Sequence, residues 1–201
     1  MFNKQEKKLW EACIEGKVED VIKLLQNSQI NTNWRNQSQY LITPVYIACY
    51  EGHLEIVKLL LNDNRVDVNK TDKFDQTPLY IACKNGHIEV VKVLLNDNRV
   101  DVNKANNYNQ SPFYIACWNG HIGVVKLLLN DQRVDISKRD DNGKTGLDKA
   151  KRKENIDTVE LIESFQRNPN GTRTKLRKEL ELLGKFIFSF KYFIIIIIIN
   201  I

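Results

Sequence analysis

Three histidines, four cysteines and a Gly-Lys-Thr triplet carry the widest chemical range in this 201-residue sequence. His53, His87 and His121 have ligand chemistry for zinc, but they recur at a fixed interval of 34 residues. Equivalent side chains in stacked copies of one structural unit stand a helix-packing distance apart, roughly 8–10 Å. Zinc needs its nitrogens at about 2.0–2.1 Å, so these residues read as structural histidines bonded to loop backbone, and no metal or cofactor is expected. Cys49, Cys83 and Cys117 repeat beside Ala48, Ala82 and Ala116. With Cys13 they read as small buried packing residues, because a disulfide needs Cα atoms within about 7 Å. Gly143-Lys144-Thr145 has the ending of a phosphate-binding loop, yet the first glycine of that motif would fall on Lys138. The motif therefore fails, and no catalytic constellation is expected.

The composition excludes several function classes. Residues 1–144 hold 19 Lys/Arg against 18 Asp/Glu, and 145–166 hold 4 against 5. Only 167–201 is basic, with 7 against 2. Phosphate binding needs cations gathered along one surface, so the repeated part does not read as a nucleic-acid binder. The first eight residues lack the apolar core of a secretory signal, and the cysteines are too sparse for a disulfide scaffold. A reducing, cytoplasmic setting is expected, with nuclear or membrane-associated placement as alternatives.

The elements that position these side chains follow from the period. Residues 43–76, 77–110 and 111–144 are gapless 34-residue copies. A divergent copy precedes them over about 7–42, with Ala12-Cys13 lying 36 positions before Ala48-Cys49. A shorter copy follows over 145–166. Within one copy, Thr77-Pro78 predicts a helix start and Gly86 its end. A second helix follows, with Ile88, Val91 and Leu95 on one stripe that Val90 and Leu94 widen. After Asn96-Asp97-Asn98-Arg99, the run Val100-Asp101-Val102-Asn103 leads to a polar tip at 105–110, as at 71–76 in the copy before, which predicts a hairpin-like finger. One helix pair cannot bury both of its faces, so copies must stack, and the outer faces of the terminal copies must meet water. Lys4, Lys7 and Lys8 at one end and Lys149, Lys151, Arg152 and Lys153 at the other are expected to supply that solvent face.

The sequence T-P-L-x-x-A, then G-H, V-V-x-x-L-L and V-x-V-N, resembles the ankyrin repeat over about residues 5–166. The resemblance implies an all-α solenoid of helix pairs with hairpin-like fingers, and a concave face of fingers and inner helices that binds proteins. The sequence departs from the family pattern in three places. Tyr46, Tyr80 and Tyr114 stand where the family has His, so that residue's polar contact must be replaced or lost. The finger glycine survives only as Gly143; Asp75 and Asn109 hold the equivalent places, and they are the non-glycine types that best tolerate positive φ. One residue is added in each Asn-Asp-Asn/Gln-Arg loop.

Variation inside repeated text marks the candidate partner groove. Tyr50-Glu51, Lys84-Asn85 and Trp118-Asn119 replace one another at the end of the inner helix. Lys73, Phe74 and Gln76 become Asn107, Tyr108 and Gln110, then Asp141, Asn142 and Lys144, in the fingers. If the family geometry holds, these positions face the groove, and Tyr50, Phe74, Tyr108 and Trp118 resemble interface anchors. The expected role is a non-enzymatic, monomeric module binding a protein partner.

Past Phe165, Asn168-Pro169 predicts a basic amphipathic helix over 168–183, with Leu176, Leu180 and Leu183 on one stripe and Gly184 as its end. Residues 184–201 form a hydrophobic, low-complexity tail. Taken as a helix, the 16 residues 186–201 reach about 24 Å, short of the roughly 30 Å hydrocarbon core. The alternatives stay open: an undersized anchor that makes the chain a membrane-tethered adaptor, a segment docked on the protein, or AT-rich sequence translated past a stop.

Overall fold

A computed structural model describes residues 4–181. Four helix pairs are α1 (Lys4–Glu15) with α2 (Val18–Leu25), α3 (Pro44–Glu51) with α4 (Leu54–Leu61), α5 (Pro78–Asn85) with α6 (Ile88–Leu95), and α7 (Pro112–Asn119) with α8 (Ile122–Asn130); α9 (Gly146–Arg152) and α10 (Ile156–Arg167) follow in the chain. A further helix, α11, covers 169–181. Among the described residues there is no strand, only an isolated bridge between Asn36 and Ile42.

The ends of the inner helices are written into the sequence. Thr43, Thr77 and Ser111 accept hydrogen bonds from the backbone N–H groups of Tyr46, Tyr80 and Tyr114, and proline fills the first helical position each time. Gly52, Gly86 and Gly120 close the helices at φ of 78°, 77° and 69°. Inner helices α1, α3, α5, α7 and α9 pack each on the next, as do outer helices α2, α4, α6 and α8. Ala48, Ala82, Ala116 and the adjacent cysteines are fully buried, which lets the inner helices approach closely. Burial also pushes the thiols of Cys13, Cys49, Cys83 and Cys117 well up from their usual range.

The outer-helix stripe differs from the expected one. Val90, Val91 and Leu94 are buried, whereas Ile88 is 44% exposed and Leu95 half-buried. The core seam runs through Val90 rather than Ile88. The Ile88 side chain lies over Gly123 of the next copy, where a Cβ would come within 2.5 Å of its Cδ1.

Three polar ladders tie successive copies. Arg65, Arg99 and Arg133 each pair with the aspartate two residues before, at 2.6 Å, and also donate to carbonyls at the end of the preceding outer helix, Leu25, Leu61 and Leu95. The loop that carries the added residue therefore serves as a clamp on helix-end carbonyls that have no intrahelical partner. The guanidinium hydrogen bond is the largest cause holding the Asp63 and Asp97 carboxyls below the usual range. Asn33, Asn69 and Asn103 donate to the Arg65, Arg99 and Arg133 carbonyls at 2.7 Å and accept from the Asp67, Asp101 and Asp135 N–H groups. Ser137 takes this place in the fourth copy. The third ladder is made by the histidines: Nε2 of His53, His87 and His121 lies 3.2, 2.8 and 3.0 Å from the carbonyls of Ile14, Tyr50 and Lys84.

One capping expectation is overturned. Lys4, Lys7, Lys8, Lys151, Arg152 and Lys153 are exposed, but Lys149 is buried. It holds the place that Ile47, Ile81 and Ile115 hold in the preceding copies, so its stem packs inward. Its ammonium lies 3.4 Å from Asp140 Oδ2 and 4.9 Å from the centre of the Trp118 ring.

The described residues 160–181 belong to a separate compact unit. Asn168 caps α11 by accepting from the Gly171 N–H, and Thr172 Oγ1 donates to the Ser164 carbonyl. Arg173 stacks 4.9 Å over the buried Phe165 ring. Leu176 is buried and Leu180 half-buried. Leu183, Gly184 and the hydrophobic tail lie outside the described residues. No helix among the described residues is long and apolar enough to cross a membrane.

Candidate functional site: the fingertip face

Each finger is a tight turn built on one buried side chain. Asp72 N–H donates to the Gln76 carbonyl, Asn106 to Gln110 and Asp140 to Lys144, at 3.1, 3.1 and 2.9 Å. Inside the turns, Oδ1 of Asp72 accepts from the N–H groups of Phe74 and Gln76. Asn106 does the same for Tyr108 and Gln110, and Asp140 for Asn142 and Lys144. The residue before the close of each turn takes the left-handed conformation: φ is 59° at Asp75, 59° at Asn109 and 70° at Gly143.

The tyrosines standing for the family histidine replace its polar contact by reaching into the following finger. Tyr46 Oη donates to Asp72 Oδ2 at 3.2 Å and Tyr114 Oη to Asp140 Oδ2 at 2.6 Å. Tyr80 Oη donates to Gln110 Oε1 and accepts from Asn106 Nδ2. Burial pushes all three phenols up, and the Asp72 charge adds to this for Tyr46 and Tyr80, as does Asp140 for Tyr114. Burial also works to raise the Asp140 carboxyl. Hydrogen bonds from Tyr114 and the Lys144 and Asn142 N–H groups, with the Lys149 charge, outweigh it and hold the group down at about 2.

The tips are chained through their backbones. Lys73 N–H donates to the Tyr40 carbonyl, Asn107 to Phe74 and Asp141 to Tyr108, at 3.0, 3.1 and 3.3 Å. Tyr40, Phe74 and Tyr108 therefore form one aromatic row, which Asn142 ends. The Tyr40 and Phe74 ring centres are 6.1 Å apart, and the Lys73 ammonium lies 4.0 Å from the first and 4.8 Å from the second. Tyr40 is not among the groove positions marked by sequence variation. The 36-residue offset of the first copy conceals it, because the two extra residues fall in the tip: Asn36 N–H closes on Ile42, where Asp72 closes on Gln76. The interval of 34 residues from Tyr40 to Phe74 and again to Tyr108 is the signal that would have found it. Leu41 takes φ of 63° here, at the place of Asp75.

The other candidates separate into exposed side chains and side chains held by neighbours. Tyr50 and Tyr108 are 45% and 55% exposed. Glu51, Lys73, Lys84, Asn107, Asp141, Asn142 and Lys144 are exposed, and Phe74 and Gln76 are half-buried. Asn85 and Asn119 are exposed, but they donate to the carbonyls of Tyr50 and Lys84, adding to the histidine ladder. Gln110 is held by Tyr80, and Trp118 by edge contact with Tyr114 at 5.8 Å and by Lys149.

Among the described residues no group of three metal-ligating side chains comes together. Each histidine Nε2 faces a carbonyl, so a chelator is expected to leave the thermal melting curve unchanged; a lower Tm in EDTA would sink this assignment. Gly143 forms the fourth fingertip, and Thr145 caps α9 in a capping box with Asp148, so the Gly-Lys-Thr triplet serves the fold.

Comparison with curated proteins returns no match. The profile described as "Ankyrin repeats (3 copies)" matches at residues 9–106, 64–140 and 98–173. With helix pairs, αL-closed inner helices and backbone-chained fingers recurring over that same stretch, the chain belongs to the ankyrin repeat family.

Proposed function

We propose that the chain is a non-enzymatic module that binds a protein partner on its fingertip face. Ankyrin repeats are generally protein–protein interaction modules. The observation that carries the reading for this chain is the row of Tyr40, Phe74 and Tyr108, one ring to a finger, on tips whose backbones are hydrogen-bonded in series. Two of these rings, Tyr40 and Tyr108, are exposed and Phe74 is half-buried. Rings held in register by a hydrogen-bonded backbone lose little entropy when a partner covers them, and such aromatics dominate interface energetics.

The test substitutes side chains that the fold does not need. Tyr50→Ala with Tyr108→Ala removes two exposed rings, and melting should shift by less than about 1 kcal/mol in stability. Partner affinity, measured on proteins captured by the full chain, should fall at least roughly 30-fold, about 2 kcal/mol. Equal capture by parent and variant would dismiss the fingertip face. Trp118 is unsuited to this test, because its ring packs on Tyr114 and Lys149.

A further inference from the structure

The fingertip face changes chemistry along the stack. At the tip register the side chains run Tyr40, Phe74, Tyr108, Asn142, and at the close of the finger they run Gln76, Gln110, Lys144. At the ends of the inner helices the register runs Tyr50, Lys84, Trp118, Arg152, and one residue later Glu51, Asn85, Asn119, Lys153. The first three fingers thus present rings among amides and the exposed Asp75, with the Lys73 ammonium folded onto two of those rings. The fourth finger and α9 present Lys144, Arg152 and Lys153, all exposed.

Two nearby carboxylates are already used internally. Asp140 is buried in its turn. Asp148 closes the capping box with Thr145. Hydrogen bonds from the Thr145 backbone and side chain hold the Asp148 carboxyl below its usual range, and the Lys144 and Arg139 charges add to this. Asp141, Glu154 and Asp157 are further exposed carboxylates next to this finger and α9, and the exposed Arg139, Lys144, Lys151, Arg152 and Lys153 outnumber them. The repeated part of the chain is close to neutral as a whole, so the cationic end is a local feature of the face.

Spacing sets the form of the ligand. Packed helices stand about 8–10 Å apart, and a segment in the extended polyproline II conformation advances about 3.1 Å per residue and returns every third side chain to the same face. Three residues of an extended segment therefore span one finger, and about ten reach across four.

We propose that the face receives an extended, polyproline II segment of a partner protein whose apolar side chains, three residues apart, lie against Tyr40, Phe74 and Tyr108 and whose other end carries carboxylates that meet Lys144, Arg152 and Lys153. This deepens the proposed function and rests on it. The rings supply affinity through burial, and the cations fix direction and speed encounter with an acidic end.

Random peptides of about a dozen residues, displayed on phage and selected on the full chain, provide the test. The comparators are Tyr108→Ala and the double variant Lys144→Glu with Arg152→Glu, and all three substituted side chains are exposed. Enriched peptides are expected to place apolar residues at a three-residue interval and Asp or Glu towards one end. Their affinity should drop at least roughly tenfold with either comparator, and raised salt should weaken binding to the parent more than to the charge-reversed variant. Peptides that are neutral or basic and bind the charge-reversed variant equally, yet still need Tyr108, would overturn the acidic-end proposal and leave the fingertip reading standing. Peptides indifferent to Tyr108→Ala, or no enrichment above background, would overturn both. Displacement of the peptides by oligothymidylate, with the same dependence on Lys144 and Arg152, would replace the protein ligand with a nucleic acid.

Discussion

Asp140→Ala is expected to lower stability by about 4 kcal/mol, because one small side chain serves four partners in a buried place. Its Oδ1 accepts from the Asn142 and Lys144 N–H groups, and its Oδ2 takes the Tyr114 hydroxyl and pairs with the Lys149 ammonium. For a chain of this length that corresponds to a fall in Tm of roughly 8–16 °C. Asp140→Asn should cost about half as much. The chain itself shows why, since Asn106 closes the preceding finger with the same pair of backbone bonds and accommodates a tyrosine hydroxyl. What asparagine lacks is the charge for Lys149, so adding Lys149→Met to Asp140→Asn should recover stability. If Asp140→Asn melts with the parent, the Asp140–Lys149 pair contributes nothing and its assignment falls.

The same group sets an acid response. Its folded pKa of about 2 lies below the ordinary carboxylate value. A depressed folded pKa contributes stability that is fully present above the unfolded value near 4 and is lost as pH falls towards 2. Asp63, Asp97, Asp135 and Asp148 are shifted in the same direction and add to the same limb. Stability followed by denaturant titration from pH 5 to pH 2, bracketing that window, should therefore decline, and less steeply in Asp140→Asn. An identical slope for the two proteins would remove Asp140 from the account.

Whatever repeats within a copy is legible in the sequence. The αL residues Asp75 and Asn109 can be read from the repeat register alone, because glycine at that place in one copy demands positive φ at the others. The replacement of the family histidine by tyrosine is visible as a question, and the answer needs a partner in the next finger, 26 residues on for Tyr46 and Tyr114. Arg65, Arg99 and Arg133 look like loop breakers, because their clamp is on a helix end 38 to 40 residues earlier. Lys149 misleads by its type: a lysine in the terminal copy suggests solvent, whereas its register with Ile47, Ile81 and Ile115 puts its stem in the core. Tyr40 is hidden by a two-residue insertion in its own tip. For the arginine clamp and for Lys149 the deciding contact crosses from one copy to the next, and for Tyr46 and Tyr114 it spans 26 residues from the start to the end of one copy, so a short-range pattern leaves both out.

Gly86→Ala tests that cross-copy packing most directly. Gly86 has φ of 77°, which costs an alanine about 1–2 kcal/mol by itself. A Cβ there would also come within 2.7 Å of His121 Nδ1 and 2.9 Å of Cε1, so the ring must shift and loosen its bond to the Lys84 carbonyl. The sum is expected to be about 3 kcal/mol, or roughly 6–12 °C in Tm. Gly143 supplies the control within the same molecule: its φ is 70° but nothing lies within 4 Å of its Cβ position. Gly143→Ala should therefore cost only the strain, about 1 kcal/mol, and Gly143→Asn less, as Asn109 already holds the equivalent tip. Removing the ring in Gly86→Ala/His121→Ala should recover part of the loss relative to the sum of the single variants, a coupling of about 1 kcal/mol in a double-mutant cycle. Equal losses at Gly86 and Gly143, with no coupling to His121, would mean that backbone strain alone explains the recurring glycine turn and that the histidine ladder does not hold one copy against the next.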